Sequence, residues 1–163
     1  MITGNSMAPL LQKGRDAIMV DQTPFSCLKK NDIIVFRVTG NPVSDIVCHR
    51  VFKIDRKNSC ILEKGDHYFE VGEVRQDMYV GKVNYILKNG VLYHMNATRN
   101  RCINNILGCL ISAFHLKAKI YLLFHRETTI DEMCQDKSLR DQFYASYRTL
   151  ASILLRYMKP EHQ

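Results

Sequence analysis

Three polar residues in the first seventy positions are of the types that perform nucleophilic acyl transfer. Ser6 lies in GNSMAPLLQKGRD (4–16), His49 lies in the apolar stretch IVCHRVFKI, and Asp66 follows Gly65 in LEKGDH. A serine hydroxyl becomes a good nucleophile when a neighbouring base takes its proton, and a third group must hold that base in one tautomer. Geometry rather than chain order defines such a triad.

Each of these residues also has an ordinary structural interpretation. Ser6 can belong to a turn that needs glycine and proline, and an aspartate after glycine is a common turn residue. A histidine within an apolar strand is more often structural than catalytic. The combination of the three, not any one of them, indicates a catalytic site.

The elements that must position these side chains are predicted to be β-strands. Stretches rich in Val, Ile, Phe and Tyr alternate with the turn-forming segments TGNP, RKNS, KGDH and KNG. Strands without intervening helices favour a mainly β fold with an antiparallel, coiled or barrel-like sheet. The predicted strands are DAIMVD (16–21), DIIVFRV (32–38), DIVCHRVFKI (45–54), CILEK (60–64) and YVGKVNYIL (79–87).

Alternation along the third predicted strand divides its side chains between two faces. One face is expected to hold Ile46, Cys48, Arg50, Phe52 and Ile54, and the other Val47, His49, Val51 and Lys53.

The pattern becomes helical after residue 98. The apolar segment 102–124 is expected to be helical in part, with Gly108 as a weak point. TIDE (129–132) has the form of a helix capping box. The sequence therefore predicts a β domain over 1–98 and a helical C-terminal region over 99–163.

A second helix is predicted over residues 138–158, where apolar residues recur at three- and four-residue steps before Pro160. Its expected packing face consists of Phe143, Tyr147, Leu150 and Leu154.

The composition is that of a globular protein. Apolar residues make up 46% of 163, which is enough for a core, and the net charge of +7 is spread along the chain. No nucleic-acid-binding motif accompanies this charge, so nucleic acid is not an expected partner. Six cysteines without a CxxC pair favour reduced thiols in a cytosolic setting, and no metal or cofactor site is expected.

The most apolar stretch, residues 106–124, is not expected to span a membrane, because His115, Lys117 and Lys119 interrupt it. It can lie on a membrane surface as a peripheral contact or pack on the domain, and both alternatives remain open. Residues 1–10 do not have the pattern of a secretory signal, and no membrane anchor is expected before Ser6. The expected location is therefore cytoplasmic or peripheral to a membrane.

Four segments in chain order resemble type I signal peptidases and the related self-cleaving repressor peptidases. GNSMAPLLQKGRD is similar to their serine box, DIIVFRV to the apolar strand that follows, IVCHRVFKI to the box with the general base, and LEKGDH to the Lys-Gly-Asp box. A histidine at position 49 points to the branch that uses a Ser-His-Asp triad. The resemblance covers most of residues 1–98 and does not extend to the helical region.

This resemblance implies a serine endopeptidase that processes a signal or leader peptide within a precursor protein. Ser6 would be the nucleophile, His49 the general base and Asp66 the partner of His49. Met7 and Pro9 would shape the loop that carries Ser6, which is formed by residues 4–16 and is called the serine loop below.

Two further roles come from the same resemblance. Arg50 would be structural, and the backbone N–H of Ser6 would stabilise the oxyanion.

The segments depart from the family pattern at three places. Gly4 replaces a frequent hydroxyl residue two positions before the serine, and Arg15 is inserted between Gly14 and Asp16. The family often has a further acidic residue downstream, for which the candidates are Glu70, Glu73 and Asp77.

Three alternatives to the histidine-based peptidase remain open at this stage. A lysine, either Lys53 or Lys64, could be the general base instead of His49. The protein could also be a non-catalytic peptide-binding module with the same fold, or a self-cleaving regulator, although no DNA-binding segment precedes the serine box.

Overall fold

The computed structural model describes residues 3–38, 45–124, 129 and 137–161, and it leaves out the side chains of 137–140 and Phe143. The predicted capping box (129–132) therefore lies almost wholly outside the described residues. Seven strands form one sheet in this part of the chain: β1 (Asp16–Asp21), β2 (Ile33–Val38), β3 (Asp45–Asp55), β4 (Cys60–Lys64), β5 (Gly72–Val74), β6 (Tyr79–Lys88) and β7 (Val91–His94).

Every strand pairing in this sheet is antiparallel, which confirms the prediction of a mainly β, antiparallel fold. The strand order is β1-β6-β2-β3-β4-β5, with β7 added to β6. The order is an open path whose ends, among the described residues, are β1 and β5, so the sheet does not close into a barrel. The short strands β5 and β7 were not predicted, because they hold too few residues to show alternation.

A bulge in β3 changes the predicted division of its side chains. The pairing with β4 shifts between Val51 and Lys53. Before the bulge, Val47 and Val51 pack in one apolar cluster and Cys48 packs against the other. The prediction that Ile54 shares the face of Cys48 is wrong, since the extra residue turns Ile54 towards Val47 and Val51.

Helix α1 (Thr98–Phe124) is continuous through Gly108. A Cβ atom at this position would lie 2.2 Å from the side-chain oxygen of Asn31, in the turn before β2. The glycine therefore allows the helix to approach this turn closely, and it does not interrupt the helix.

Helix α2 (Lys137–Leu155) ends three residues before the predicted boundary, and its packing face agrees with only part of the predicted one. The side chain of Phe143, one of the four predicted positions, lies outside the described residues. Tyr144, Tyr147 and Ala151 are buried, whereas Leu150 is 44% exposed. Tyr147 and the partly buried Leu154 were correctly placed on the packing face. Leu150 was not, because the buried positions continue from Tyr147 by a step of four rather than three.

The helices complete the main core. The larger apolar cluster joins Met7 of the serine loop, Val35 and Val83 of the sheet, Leu107 of α1 and Tyr147 of α2. A smaller cluster around Ile34 and Val51 lies under the 3-10 helix Phe25–Cys27.

Candidate active site

The serine loop is held by its own apolar residues. Met7, Leu10 and Leu11 are 2%, 0% and 0% exposed, and the backbone N–H of Leu11 donates to the carbonyl of Met7 at 2.9 Å. Pro9 follows a cis peptide bond in the middle of this turn. Burial of these three large apolar side chains fixes the backbone that carries the half-buried Ser6.

The far end of the loop is closed by a buried charge. The backbone N–H of Gln12 and the ammonium of Lys88 each donate to the Asp16 carboxylate at 2.9 Å, and Lys88 also donates to the carbonyl of Leu10 at 2.5 Å. Gly14 adopts a φ of 71°, which glycine tolerates best. Arg15, which is inserted between Gly14 and Asp16 relative to the family pattern, is thus accommodated in a turn that Asp16 stabilises.

Ser6 is attached directly to the turn that follows β4. Its carbonyl accepts a hydrogen bond from the backbone N–H of His67 at 2.8 Å. A Cβ atom on Gly65 would lie 3.0 Å from this carbonyl oxygen and 3.2 Å from Nε2 of His49. The serine loop, the turn and the imidazole therefore meet at Gly65, where a side chain would separate them.

The other nitrogen of His49 contacts a carboxylate. Nδ1 lies 2.5 Å from Oε2 of Glu63, and the two side chains are 16% and 12% exposed. An ionised carboxylate only accepts hydrogen bonds, so this contact favours the tautomer with the proton on Nδ1, in which a neutral imidazole has its lone pair on Nε2. This lone pair lies on the nitrogen beside the serine loop.

Asp66 contacts Arg50 and not His49. Its two carboxylate oxygens accept hydrogen bonds from Nε and Nη2 of Arg50, each at 2.8 Å, and the hydroxyl of Tyr147 adds a third at 3.3 Å. The side chains of Arg50 and Asp66 are 2% and 0% exposed. The resemblance implied that Asp66 is the partner of His49, but the carboxylate that contacts His49 in this structure is that of Glu63.

The Arg50–Asp66 pair lies in a network that joins the sheet to both helices. Nη1 of Arg50 donates to the side chain of Asn104 on α1 at 2.6 Å and to the carbonyl of Asn31 at 3.2 Å. Burial alone would lower the pKa of Arg50, but the charge and hydrogen bonds of Asp66 raise it above the ordinary value. Burial, followed by the negative charge of Asp66, raises the pKa of Tyr147. The network is therefore a buried ion pair with its hydrogen bonds satisfied.

Strand register explains why these two carboxylates have different partners. Arg50 pairs with Lys64 across β3 and β4, whereas Val51 pairs with Glu63. Side chains alternate between the faces of a sheet, so Glu63 lies on the face of His49, diagonally across the strand pair. The sequence alone does not define this register, and Glu63 was missed although it stands only two residues before Gly65.

The candidate lysine bases and the downstream acidic residues occupy different environments. The ammonium of Lys64 is buried and donates to the carbonyl of Tyr68 and, at 3.0 Å, to the hydroxyl of Tyr144. Lys53 is exposed on β3. The carboxylates named as possible assistants are all exposed, and one of them is paired with Arg75; they are Glu70, Glu73 and Asp77.

Ser6 stands at the edge of an open apolar cleft of about 650 Å³. The cleft is lined by parts of the serine loop, β1, β2 and β3, including Leu11, Ile18, Val20, Val35, Ile46, Val47 and Cys48. Burial, followed by the charge of Asp66, raises the pKa of Cys48 to about 12. This thiol stays protonated near neutral pH and is therefore a poor nucleophile.

Comparison of the chain with protein-family models, with curated proteins and with solved structures finds no match. A functional assignment for this protein therefore depends on the geometry around Ser6, His49 and Glu63.

Proposed function

We propose that the protein is a serine endopeptidase that cleaves an extended peptide segment, such as a signal or leader peptide of a precursor protein. Ser6 is the nucleophile, His49 the general base, and Glu63 the group that orients His49. One observation carries this proposal: Nε2 of His49 and the backbone of Ser6 converge on Gly65, while Glu63 holds Nδ1 at 2.5 Å.

The reaction follows from these roles. Nε2 of His49 takes the hydroxyl proton of Ser6 while the serine oxygen attacks the peptide carbonyl carbon. Glu63 stabilises the resulting imidazolium, and the backbone N–H of Ser6 is a donor for the oxyanion. The imidazolium then protonates the leaving amine, the peptide C–N bond breaks, and water hydrolyses the acyl-enzyme with His49 again as base.

Asp66 supports the site without touching the reacting atoms. By binding Arg50 it fixes the turn that carries Gly65 against β3. Since Ser6 is attached to the same turn, the ion pair sets the distance between the serine loop and the imidazole. Asp66 is therefore a positioning residue.

The surroundings of Ser6 suit an extended apolar peptide. β1 has one unpaired edge among the described strands, and two of its side chains, Ile18 and Val20, line the cleft. An extended peptide can add to such an edge through main-chain hydrogen bonds while alternate side chains enter the cleft.

Cleavage of a proteome-derived peptide library, with products identified by mass spectrometry, tests the proposal. The wild-type protein is expected to generate new peptide termini, and Ser6→Ala is expected to generate none. Ser26→Ala, a change at an exposed serine in the 3-10 helix, is the matched control and should cleave like the wild type.

The role of Glu63 has its own pair of variants. Glu63→Gln is expected to lower kcat by roughly 10³- to 10⁴-fold, because an amide can donate to Nδ1 and favour the wrong tautomer. Glu161→Gln, the same change at an exposed glutamate near the end of the described chain, should leave kcat unchanged. Binding of library peptides by the wild type without cleavage would instead favour the non-catalytic binding module.

A further inference from the structure

Helix α1 has two apolar faces instead of one. Its inner face packs in the main core through residues such as Ile103, Leu107 and Ile111. Its opposite face is exposed and also apolar, with Leu116 59%, Leu123 73% and Phe124 81% exposed. The exposed apolar positions are Cys102, Ile106, Cys109, Ala113, Leu116, Ile120, Leu123 and Phe124.

These exposed residues, which we call the outer stripe, form one continuous line along the helix. From Cys102 to Leu123 they are separated by alternating steps of four and three residues. Such steps keep side chains on one side of an α-helix. A surface helix of a globular protein normally presents charged and polar residues there, so the outer stripe indicates contact with an apolar phase.

The charges on α1 are all of one sign. Residues Thr98–Phe124 contain Arg99, Arg101, Lys117 and Lys119 and no Asp or Glu. At roughly 100° per residue, Arg99 and Lys117 lie along one border of the outer stripe, and Arg101 and Lys119 lie along the other. Each border of the outer stripe therefore carries two positive charges, an arginine in the first turn of the helix and a lysine towards its end.

A cationic pocket of about 230 Å³ lies beside the first turns of α1. Lys29, Lys30, Lys82 and Arg101 line it, together with the carboxylate of Asp32, which binds Lys82 at 2.9 Å. The pocket adds positive charge to the border of the outer stripe that carries Arg101, where the phosphate of a lipid headgroup could be bound.

The charges of α1 and its buried contacts argue against two other arrangements of the helix. Two copies of α1 joined along the outer stripe would bring cationic borders together, which is unfavourable. By length and composition α1 could cross a membrane, but Asn104 on its inner face binds the buried Arg50. Crossing would break this buried network.

We propose that the outer stripe of α1 lies on the surface of an anionic lipid bilayer. The apolar side chains enter the interface between headgroups and acyl chains, and the four flanking cations contact lipid phosphates. The inner face remains packed on the sheet, so the helix binds the membrane without leaving the fold. This proposal does not depend on the peptidase activity.

Flotation of the full-length protein with lipid vesicles tests this proposal. We expect binding to mixed phosphatidylcholine–phosphatidylglycerol vesicles, weak binding to phosphatidylcholine alone, and release of the protein at high salt. Leu116→Glu/Ile120→Glu should weaken binding at least tenfold, and Arg101→Ala/Lys119→Ala roughly twenty-five-fold, since each cation contributes about fivefold at such a surface. Thermal melting shows whether the variants remain folded.

Matched variants on the other helix complete the test. Leu150→Glu/Ile153→Glu changes two exposed apolar residues of α2 and should bind vesicles like the wild type. The chain has no tryptophan, so Leu123→Trp introduces a single reporter whose emission should shift to the blue with anionic vesicles.

Three results would overturn the proposal. The first is the absence of vesicle binding, or vesicle binding that Leu116→Glu/Ile120→Glu leaves unchanged. The second is a stable dimer in solution that the same variant dissociates, which would assign the outer stripe to a second copy. The third is resistance to carbonate extraction, which would indicate a spanning helix.

Discussion

Glu63 and Asp66 stand three residues apart and differ in how far their side chains are exposed to solvent. Glu63 retains 12% side-chain exposure beside His49, whereas Asp66 has none and binds Arg50 through both oxygens. A fully buried carboxylate is tolerated here because Arg50 supplies the opposite charge and both oxygens accept hydrogen bonds. In the proposed site the glutamate orients His49, whereas the aspartate binds Arg50.

Removing the charge of Asp66 is therefore expected to act on stability. Asp66→Asn leaves the guanidinium of Arg50 buried without a counter-charge, which costs about 3–5 kcal/mol of the free energy of unfolding. Urea denaturation measures this loss. Asp141→Asn is the control, because the Asp141–Arg148 pair is about 40% exposed and should contribute less than about 1 kcal/mol. Equal losses in the two variants would contradict the structural role of Asp66.

At the scale of elements, α2 covers the side of the sheet that carries this ion pair. The hydroxyl of Tyr147 donates to Asp66 at 3.3 Å, and the hydroxyl of Tyr144 donates to the carbonyl of Tyr68 at 2.6 Å. Both tyrosines place their rings in the main core. The helix thus shields the buried charges from water and anchors the turn that follows β4.

Two neighbouring positions of α2 should respond differently to the same substitution. Ala151 is fully buried, so Ala151→Asp is expected to lower the free energy of unfolding by at least about 3 kcal/mol, the cost of an unpaired buried charge. Leu150→Asp should change it by less than about 1 kcal/mol, because Leu150 is largely exposed. Thermal or urea unfolding compares the two. A larger loss of unfolding free energy for Leu150→Asp than for Ala151→Asp would instead support the packing face predicted from the sequence.

The sequence predicted most elements and only part of their arrangement. Five strands and both helices follow from residue periodicity, because burial of one face leaves a regular pattern. The bulge after Val51 leaves no such pattern, and it moves Ile54 to the other face. The pairing of Arg50 with Lys64 likewise depends on contacts between strands, so a sequence analysis that found His49 and Asp66 could not exclude a bond between them.

At the scale of the whole molecule, the core holds a histidine that resists protonation. His115 is 7% exposed, its ring lies 5.1 Å from that of Phe52, and its Nδ1 has no hydrogen-bond partner among the described residues. Burial, followed by the positive charges of Lys64 and Lys119, lowers its pKa from 6.5 to about 4.

This lowered pKa predicts a loss of stability in mild acid. The unfolded chain takes up a proton on His115 near pH 6.5, whereas the folded protein does so only near pH 4. Protonation therefore favours the unfolded state, so the contribution is complete above pH 6.5 and is lost as the pH falls towards 4. The wild type should melt at a higher temperature than His115→Gln above pH 6.5, and the difference in melting temperature should shrink as the pH falls towards 4. Parallel curves for the two proteins would contradict this role of His115.

The attachment of Ser6 to the turn at Gly65, together with the bond from Tyr147 to Asp66, has a consequence for biosynthesis. A ribosome releases the chain from its amino end, so Ser6 emerges well before His49 and Glu63, and Tyr147 emerges long after all three. The hairpin of β3 and β4 can form locally, but its ion pair stays hydrated until α2 has been made. For the proposed peptidase, the order of translation itself delays cleavage, and a nascent chain carries its nucleophile without the groups that activate it.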